Sequence, residues 1–443
     1  MRDQHQIELT TEEKGMLGGD QGPAVQRAIE IVVALGTIYG AESLVPVASV
    51  QVAGVSYKNL GHAGLEFLCQ WAAQGARVRV PTTLNPAGMD LHRWRTLGFP
   101  ESFARQQQAV LDAYASMGIA LTCTCTPYLV SSPPEFGEHV AWSESSAVSF
   151  ANSVLGARTN REGGPSALAA AICGRAAAYG LHLDRHRLAN YRVDVHCPLE
   201  QVSDWGALGY LVGTRVRDGI PCFHLHAPSC SASLRAEGSC LVPDPWLSTG
   251  DSLIDGLKTL GAAMAATGAV ALYHIAGLTP EASVADMLAS DAQRLTIGDL
   301  APGYAALSAT SGLHVDLVTI GCPHASAHEI AEIAHATAGR HLRAALWITT
   351  AEQTRERASA DVETIERAGG HVITDTCMLV APVEQLGFRV MATNSAKMAF
   401  YTPSHSGLQV CFGTLQQCIE AACSGVWSGP SPGVAPAPRS STG

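Results

Sequence analysis

Strand-like runs that break into polar loops and are followed by helical runs recur along the chain. This alternation constrains the fold more than any other feature of the sequence. VDLVTIG (315–321) leads into CPHAS and then the helix-patterned AHEIAEIAHATAG. ALWITT (345–350) precedes a helical run over about 351–368, GGHVITDTCMLV (369–380) is a strand ending in a loop, and FRVMAT (388–393) is one more. Strands alternating with helices imply right-handed crossovers and largely parallel sheets. The unbroken apolar character of VDLVTIG fits burial on both faces. The expected class is therefore α/β.

The first third of the chain continues the pattern. Thr10 or Thr11 followed by Glu12 and Glu13 marks a helix start, and residues 23–39 carry apolar side chains at helical spacing. Residues 45–57 (VPVASVQVAGVSY) alternate like a strand, and ARVRVPTTLNP (76–86) is a short strand that breaks into a loop. FARQQQAVLDAYASMG (103–118) is an amphipathic helix ending at Gly118, and IALTCTC (119–125) reads as a strand. The segment from Asp184 to Asp251, rich in His, Cys and Pro, reads as an inserted lobe within a catalytic unit spanning 1–427. The Pro/Gly/Ser-rich stretch 428–443 is expected to be disordered.

Composition narrows the function. The 443 residues are 47% hydrophobic and 15% charged, enough apolar material for a large core, and the net charge is −11. A nucleic-acid binder would show a basic surplus or stripe, so a small molecule or a protein is the expected partner. Residues 260–278 are uncharged over nearly a bilayer span. They are Ala/Gly-rich and include Gly268 and His274, which reads as a buried helix, a turn at Thr267-Gly268 and a core strand, with no membrane span. The N-terminal residues show no apolar signal region, which points to the cytoplasm. The 13 cysteines include no CxxC pair, so reduced thiols, cluster ligands or core residues are expected and a structural zinc knuckle is not.

Three of those cysteines share a position. Cys125, Cys322 and Cys377 each lie at or just past the carboxyl end of an expected strand, and Asn394, Ser395 and Lys397 follow FRVMAT in the same way. In parallel α/β sheets such ends converge on one rim, where ligands bind. Three thiolates on one rim suit a soft metal or an iron–sulfur cluster. A cubane held by three cysteines leaves one iron open as a Lewis acid. Taken singly, a small cysteine after a strand is as well explained by packing. His224 and His226 share one side of a strand and read either as metal ligands or as packing residues. Cys411 reads as core, and Cys418 and Cys423 as one helix face. No GxGxxG, Walker A or HExxH pattern is present.

The loop contexts resemble a known family. CTCTPYL around Cys125, GCPHAS around Cys322 and TDTCM around Cys377 are similar to the cluster loops of aconitase X. So are QVAGVSYKNLG (51–61), PTTLNPAGMD (81–90), AWSESSAVSFANSVLGARTNREGGPSAL (141–168) and TNSAKMAFY (393–401). The resemblance runs from about residue 8 to 425, and the long serine-containing block is its most specific part. It implies an aconitase-like three-layer α/β/α fold without the swivel domain. It implies an iron–sulfur cluster, 4Fe-4S rather than 2Fe-2S, on Cys125, Cys322 and Cys377. Gly54, Val55, Ser56, Asn85 and Pro86 would line the substrate pocket with Glu144, Asn394 and Ser395, and Lys397, Ser145 and Ser146 would be catalytic. The implied activity is a hydro-lyase acting on a small hydroxy acid, with a small swivel-domain subunit supplying the catalytic serine. Two substrates go with the family, (R)-5-phosphomevalonate and cis-3-hydroxy-L-proline, and loops 53–59 and 83–90 look closer to the phosphomevalonate type.

The residue chemistry agrees with these roles and also allows plainer ones. Backbone N–H groups at 54–56 can hold an anion, Asn85 can donate its amide to a carboxylate, and Lys397 offers a point charge. Ser145 and Ser146 supply hydroxyls near developing charge. Equally, Gly54 permits a turn, Asn85-Pro86 suits a loop, Glu144 and Ser145 suit a helix cap, and Lys397 suits a solvated surface. Arg158 and Arg161 read as ligands of an anionic substrate or as ion-pair partners of Glu144 or Glu162. His324 reads as a proton donor, an outer partner of the cluster or a plain loop residue. A non-enzymatic iron–sulfur sensor and a mononuclear metal hydrolase remain as readings of other classes.

Overall fold

The computed structural model describes residues 7–226, 251–309 and 311–429. Thr10 opens the first helix, Thr11–Gly18, by a capping box: its hydroxyl accepts from the Glu13 N–H at 3.3 Å and the Glu13 carboxylate accepts from the Thr10 N–H at 2.9 Å. The helix Pro23–Tyr39 follows as its spacing predicts.

Five short strands complete the first unit: β1 (Leu44–Pro46), β2 (Val50–Val52), β3 (Thr82–Leu84), β4 (Ala141–Trp142) and β5 (Arg175–Ala177). β2 lies between β3 and β4, parallel to both, and β1 pairs antiparallel with β5. The single strand expected over 45–57 is thus two strands in different sheets. Pro46 lacks the N–H to continue a ladder, and Gly54 at φ +81° turns the chain after β2. The strand expected over 119–125 reduces to one bridge between Thr83 and Ala120. There the Thr122 hydroxyl meets the N–H (3.1 Å) and carbonyl (3.2 Å) of Leu84, and Cys123 at φ +42° leaves the extended region.

The second unit holds β6 (Ala189–Val195), β7 (Pro221–Leu225), β8 (His274–Ile275) and β9 (Leu288–Ile297), all parallel in the order β8-β7-β6-β9. The lobe that begins near residue 184 therefore extends past 251, because β8 and β9 belong to the same sheet. The Ala/Gly-rich stretch 260–278 is the end of a buried helix, Ser252–Gly268, a left-handed turn at Ala269, and β8. Among the described residues no helix is long and apolar enough to cross a membrane.

The third unit is a parallel sheet of β10 (Leu317–Ala325), β11 (Ala345–Thr350), β12 (His371–Thr374), β13 (Val390–Thr393) and β14 (Gln409–Phe412), ordered β12-β11-β10-β13-β14. Its two faces are both covered. Val318 and Ile320 pack with Ile330, Ile333, Val362 and Ile365 of the outer helices. Leu317, Trp347, Ile373 and Met391 pack with Met89, Phe99 and Phe103 of the first unit. This double burial is why the strands are apolar at successive positions. The helical run 351–368 breaks at Ala358 into Glu352–Arg357 and Ser359–Arg367. The stretch expected to be disordered lies, beyond residue 429, outside the described residues.

The helix Ser252–Gly268 is the hub of the molecule, packing on the helix Val202–Val216 through glycines. A Cβ on Gly209 would sit 2.7 Å from the Ala263 Cβ and 2.8 Å from the Leu260 carbonyl oxygen. Neither neighbour is the free end of a flexible chain, so the helices would have to part. Gly209→Ala should therefore lower stability by about 1–3 kcal/mol, measured as a reduced denaturation midpoint at unchanged m-value.

Candidate active site

Two parallel sheets bring their carboxyl ends to one place. β2, β3 and β4 are followed by Gly54-Val55-Ser56, Asn85-Pro86 and Glu144-Ser145-Ser146, while β13 is followed by Lys397, β12 by Cys377, and β10 contains Cys322 near its end. Main-chain bonds stitch the two sets together. The Ala87 N–H donates to the Asp375 carbonyl at 2.7 Å and the Cys377 N–H to the Ala87 carbonyl at 3.1 Å. The Ser56 hydroxyl donates to the Val380 carbonyl at 2.8 Å.

Glu144 is the polar centre. Its Oε1 accepts from the Lys397 ammonium, from the Ser145 hydroxyl at 3.1 Å and from the Ser146 hydroxyl at 3.2 Å. Its Oε2 accepts from the Asn85 amide at 2.8 Å. Lys397 also donates to Ser145 Oγ at 3.2 Å. Burial pushes the Glu144 carboxyl up, but the Lys397 charge and the donors from Lys397, Asn85 and Ser146 outweigh it and bring the pKa to about 2. Burial alone would lower the Lys397 pKa, and the charges of Glu144, Cys322 and Cys125 raise it on balance. Glu144 is thus an anchor that stays ionised near neutral pH. It caps the helix Ser145–Phe150, and Lys397 is buried rather than solvated.

The Asn85 amide does meet a carboxylate, that of Glu144. The buried Asn85 Oδ1 has no partner among the described residues. That oxygen is an acceptor suited to a ligand hydroxyl, and the NH₂ keeps a second hydrogen beyond the one given to Glu144. At the Gly54 turn, no acceptor among the described residues meets the N–H of Gly54 or Val55. A Cβ on Gly54 would meet nothing within 4 Å. Just beyond, Ser56 caps the helical stretch Tyr57–Ala73, which is kinked at Gly61; its first N–H groups are already taken by Gln107 and Ser56, so the open donors here are those of Gly54 and Val55.

The three cysteines share this environment. Each senses the charges of Lys397 and Glu144, and Cys322 senses on both sides, raising Cys125 and Cys377. Cys125 Sγ accepts from the His324 N–H at 3.2 Å. Burial, then Cys322, pushes the Cys377 thiol up to about 12 against the pull of Lys397. All three are free of disulfides. Among the described residues no three His, Cys, Asp or Glu side chains close around one point as ligands of a single ion would. Ligands of a polynuclear cluster each bind a different iron and need no common point. Three unpaired sulfurs beside a buried cation and an orphaned amide oxygen fit such a group.

Other candidates fall elsewhere. The Ser395 hydroxyl donates to the Cys322 carbonyl and caps the helix Ala396–Ser406, so it holds a loop in place. Asn394 lines a separate cavity of about 750 Å³ with Ile320, His328, Glu329 and Trp205, and none of the three cysteines lines it. Pro86 is buried beneath the loop. Arg158 pairs with Glu281 (3.1 Å) and Asp184 (2.8 Å), not with Glu144 or Glu162, and Arg161 is exposed. His226 is bonded to Asp194 at 2.9 Å and stacks on His196. His324 is no free proton donor: Nδ1 meets the Thr124 hydroxyl at 3.0 Å and Nε2 the Thr376 carbonyl at 2.9 Å. Lys258, buried and bonded to the His324 carbonyl at 3.1 Å, was not flagged by the motif pattern.

Removing Glu144 isolates a buried cation. Glu144→Gln should cost about 3–5 kcal/mol, read by chemical denaturation at neutral pH. The Glu144 carboxyl ionises at about 2 in the fold against an ordinary 4.5. Its contribution is therefore complete above pH 4.5 and disappears as pH falls towards 2. The wild-type advantage over the variant should shrink across that window.

Comparison with known proteins agrees with the geometry. The chain matches the family descriptions "Aconitase X first domain" over residues 6–185, "second domain" over 189–302 and "third domain" over 315–424. It is 49% identical to the phosphomevalonate dehydratase large subunit of Methanothermobacter thermautotrophicus, over 92% of this chain and 96% of that protein. It is 36% identical to the cis-3-hydroxy-L-proline dehydratase of Pseudomonas aeruginosa, over 93% of this chain and 69% of that protein. The crystal structure of Thermococcus kodakaraensis aconitase X in its holo-form superposes with a TM-score of 0.82 at 43% identity, covering 94% of this chain and all of that one. Relatives named as dehydratases make the chain a hydro-lyase. On sequence and fold alike, the chain belongs to the aconitase X family.

Proposed function

We propose that the chain is the cluster-bearing large subunit of a phosphomevalonate dehydratase. The observation that carries the reading is the triple of Lys397, the Asn85 oxygen and the free N–H groups of Gly54 and Val55 beside three unpaired cysteines. Cys125, Cys322 and Cys377 would hold an iron–sulfur cluster, 4Fe-4S rather than 2Fe-2S. When bound, it would supply an open iron as Lewis acid for the departing hydroxyl. The N–H groups of Gly54 and Val55 bind the phosphate. Asn85 Oδ1 accepts from a substrate hydroxyl. Lys397, held by Glu144, presents positive charge to the carboxylate, and Ser145 orients Lys397.

The base that removes the proton α to the carboxylate must have a free lone pair and an accessible proton affinity. Glu144 lacks the proton affinity, with a pKa of about 2 and its Oε1 already taken by Lys397, Ser145 and Ser146. In this reading the base is a serine of a small swivel-domain partner. The relatives' names support the division, since several are called large subunits. The reading also carries a reducing cytoplasmic setting, in which the site thiols stay free. Dehydration of cis-3-hydroxy-L-proline is the second reading, favoured by the relative that shares 36% of its residues.

The test is turnover of (R)-5-phosphomevalonate by the anaerobically reconstituted chain with and without the small partner. Dehydration should require the partner, and Lys397→Met or Asn85→Ala in the complex should lower kcat/KM by about 10²–10³-fold. Full activity of the isolated chain, or preference for cis-3-hydroxy-L-proline, would overturn it.

A further inference from the structure

Three cysteine loops that come from two sheets need a common reference to stay in register. One residue touches all three. His324 follows Cys322 by two positions, and its N–H donates to Cys125 Sγ. Its ring bridges Thr124, which precedes Cys125, and Thr376, which precedes Cys377. The Thr376 carbonyl can only accept, so Nε2 carries the proton and Nδ1 accepts from the Thr124 hydroxyl.

The His324 main chain is itself held from a third direction. Its carbonyl accepts from the Lys258 ammonium at 3.1 Å. Lys258 lies on the helix Ser252–Gly268, in the second unit, and is 1% exposed. It is pinned between Asp255, at 3.1 Å, and Glu329. The same two carboxylates grip the segment after His324. Asp255 Oδ2 accepts from the Ser326 hydroxyl at 2.9 Å and faces His328 Nδ1 at 3.1 Å, and Glu329 Oε2 accepts from the Ser326 N–H at 3.0 Å. A buried ionic group of this kind is a poor source of net stability, since apolar packing of equal volume does as well or better. What it does supply is fixed direction: an ammonium aimed at one carbonyl.

We propose that Lys258 is a positioning residue for the three-cysteine site. Acting through the His324 carbonyl, it fixes the loop whose imidazole and amide set the relative placement of Cys125, Cys322 and Cys377. The inference rests on the reading of those cysteines as cluster ligands, and it links the second unit to a site built by the first and third.

The test compares Lys258→Met/Glu329→Gln with Glu329→Gln alone, in the full chain. Pairing the two changes avoids leaving both carboxylates buried without their cation. Amide hydrogen exchange over 322–326 is read on the cluster-free protein, and loss of iron–sulfur absorbance under a ferrous chelator on the anaerobically reconstituted one. The double variant should exchange faster across 322–326 and lose its cluster roughly 10–100-fold faster than the control. Asp255 keeps Ser326 and His328 but loses its cation, so the double variant should also melt lower, and both readouts are taken well below its transition. Thr124→Val, which cuts the tie on the other side of His324 with a near-isosteric change, should move both readouts in the same direction. Exchange and retention equal to the control overturn the proposal. If the double variant does not fold, unchanged readouts in Thr124→Val overturn it. A wild-type chain that takes up no iron or sulfide defeats the cluster reading instead, and the exchange comparison still decides whether Lys258 anchors the loop.

Discussion

The carboxylate of Glu144 holds the site together. It stands after β4 in the first unit and takes the ammonium of Lys397, which follows β13 in the third. Both are largely out of water, so their attraction is far stronger than at a surface, and the desolvation of two ions is large in proportion. Further hydrogen bonds offset part of that cost, from Ser145 and Ser146 to Oε1 and from Asn85 to Oε2. The pair thereby fastens two separate sheets at the point where their carboxyl ends meet. It also spends three polar side chains that would otherwise be free for a ligand. The polar groups it leaves without a partner among the described residues are the Asn85 oxygen and the Gly54 and Val55 N–H groups.

Much of the fold was legible in the sequence, and the reason is burial. The strands of the third sheet are covered on both faces, so 315–321, 345–350 and 388–393 are apolar at successive positions and stand out. The segment 119–125 looks the same, yet its one bridge is at Ala120, with a further main-chain bond from the Thr124 N–H to the Leu84 carbonyl. There a threonine side chain replaces a backbone partner and Cys123 takes a positive φ, and neither leaves a mark in hydropathy. The candidate site was readable as a set of loops at strand ends. Its internal wiring was not, because which donors and acceptors meet is decided by tertiary packing between distant segments. Asn85 donates inward to Glu144, and Ser395 and Ser56 bind main-chain carbonyls. Lys258 went unnoticed inside an Ala/Gly-rich helix. An Asp255-x-x-Lys258 pair on an otherwise buried helix face was the available signal.

The division of labour follows from the same geometry. This chain supplies charge, hydrogen-bond acceptors and donors, and three soft ligands on rigid strand ends. Its buried carboxylate is locked as an anchor and does not take protons near neutral pH. Under the proposed function, such a site would bind and polarise a hydroxy acid and leave proton removal to a partner, in keeping with relatives named large subunits.

The central claim is that Cys125, Cys322 and Cys377 jointly hold one cluster. It is tested most directly by iron and acid-labile sulfide analysis after anaerobic reconstitution of the wild type and single Cys→Ser variants. The account predicts about four irons and four sulfides per chain, lost on substitution of any of the three and retained in Cys123→Ser. Uptake that survives all three substitutions, or that fails equally in Cys123→Ser, would contradict it.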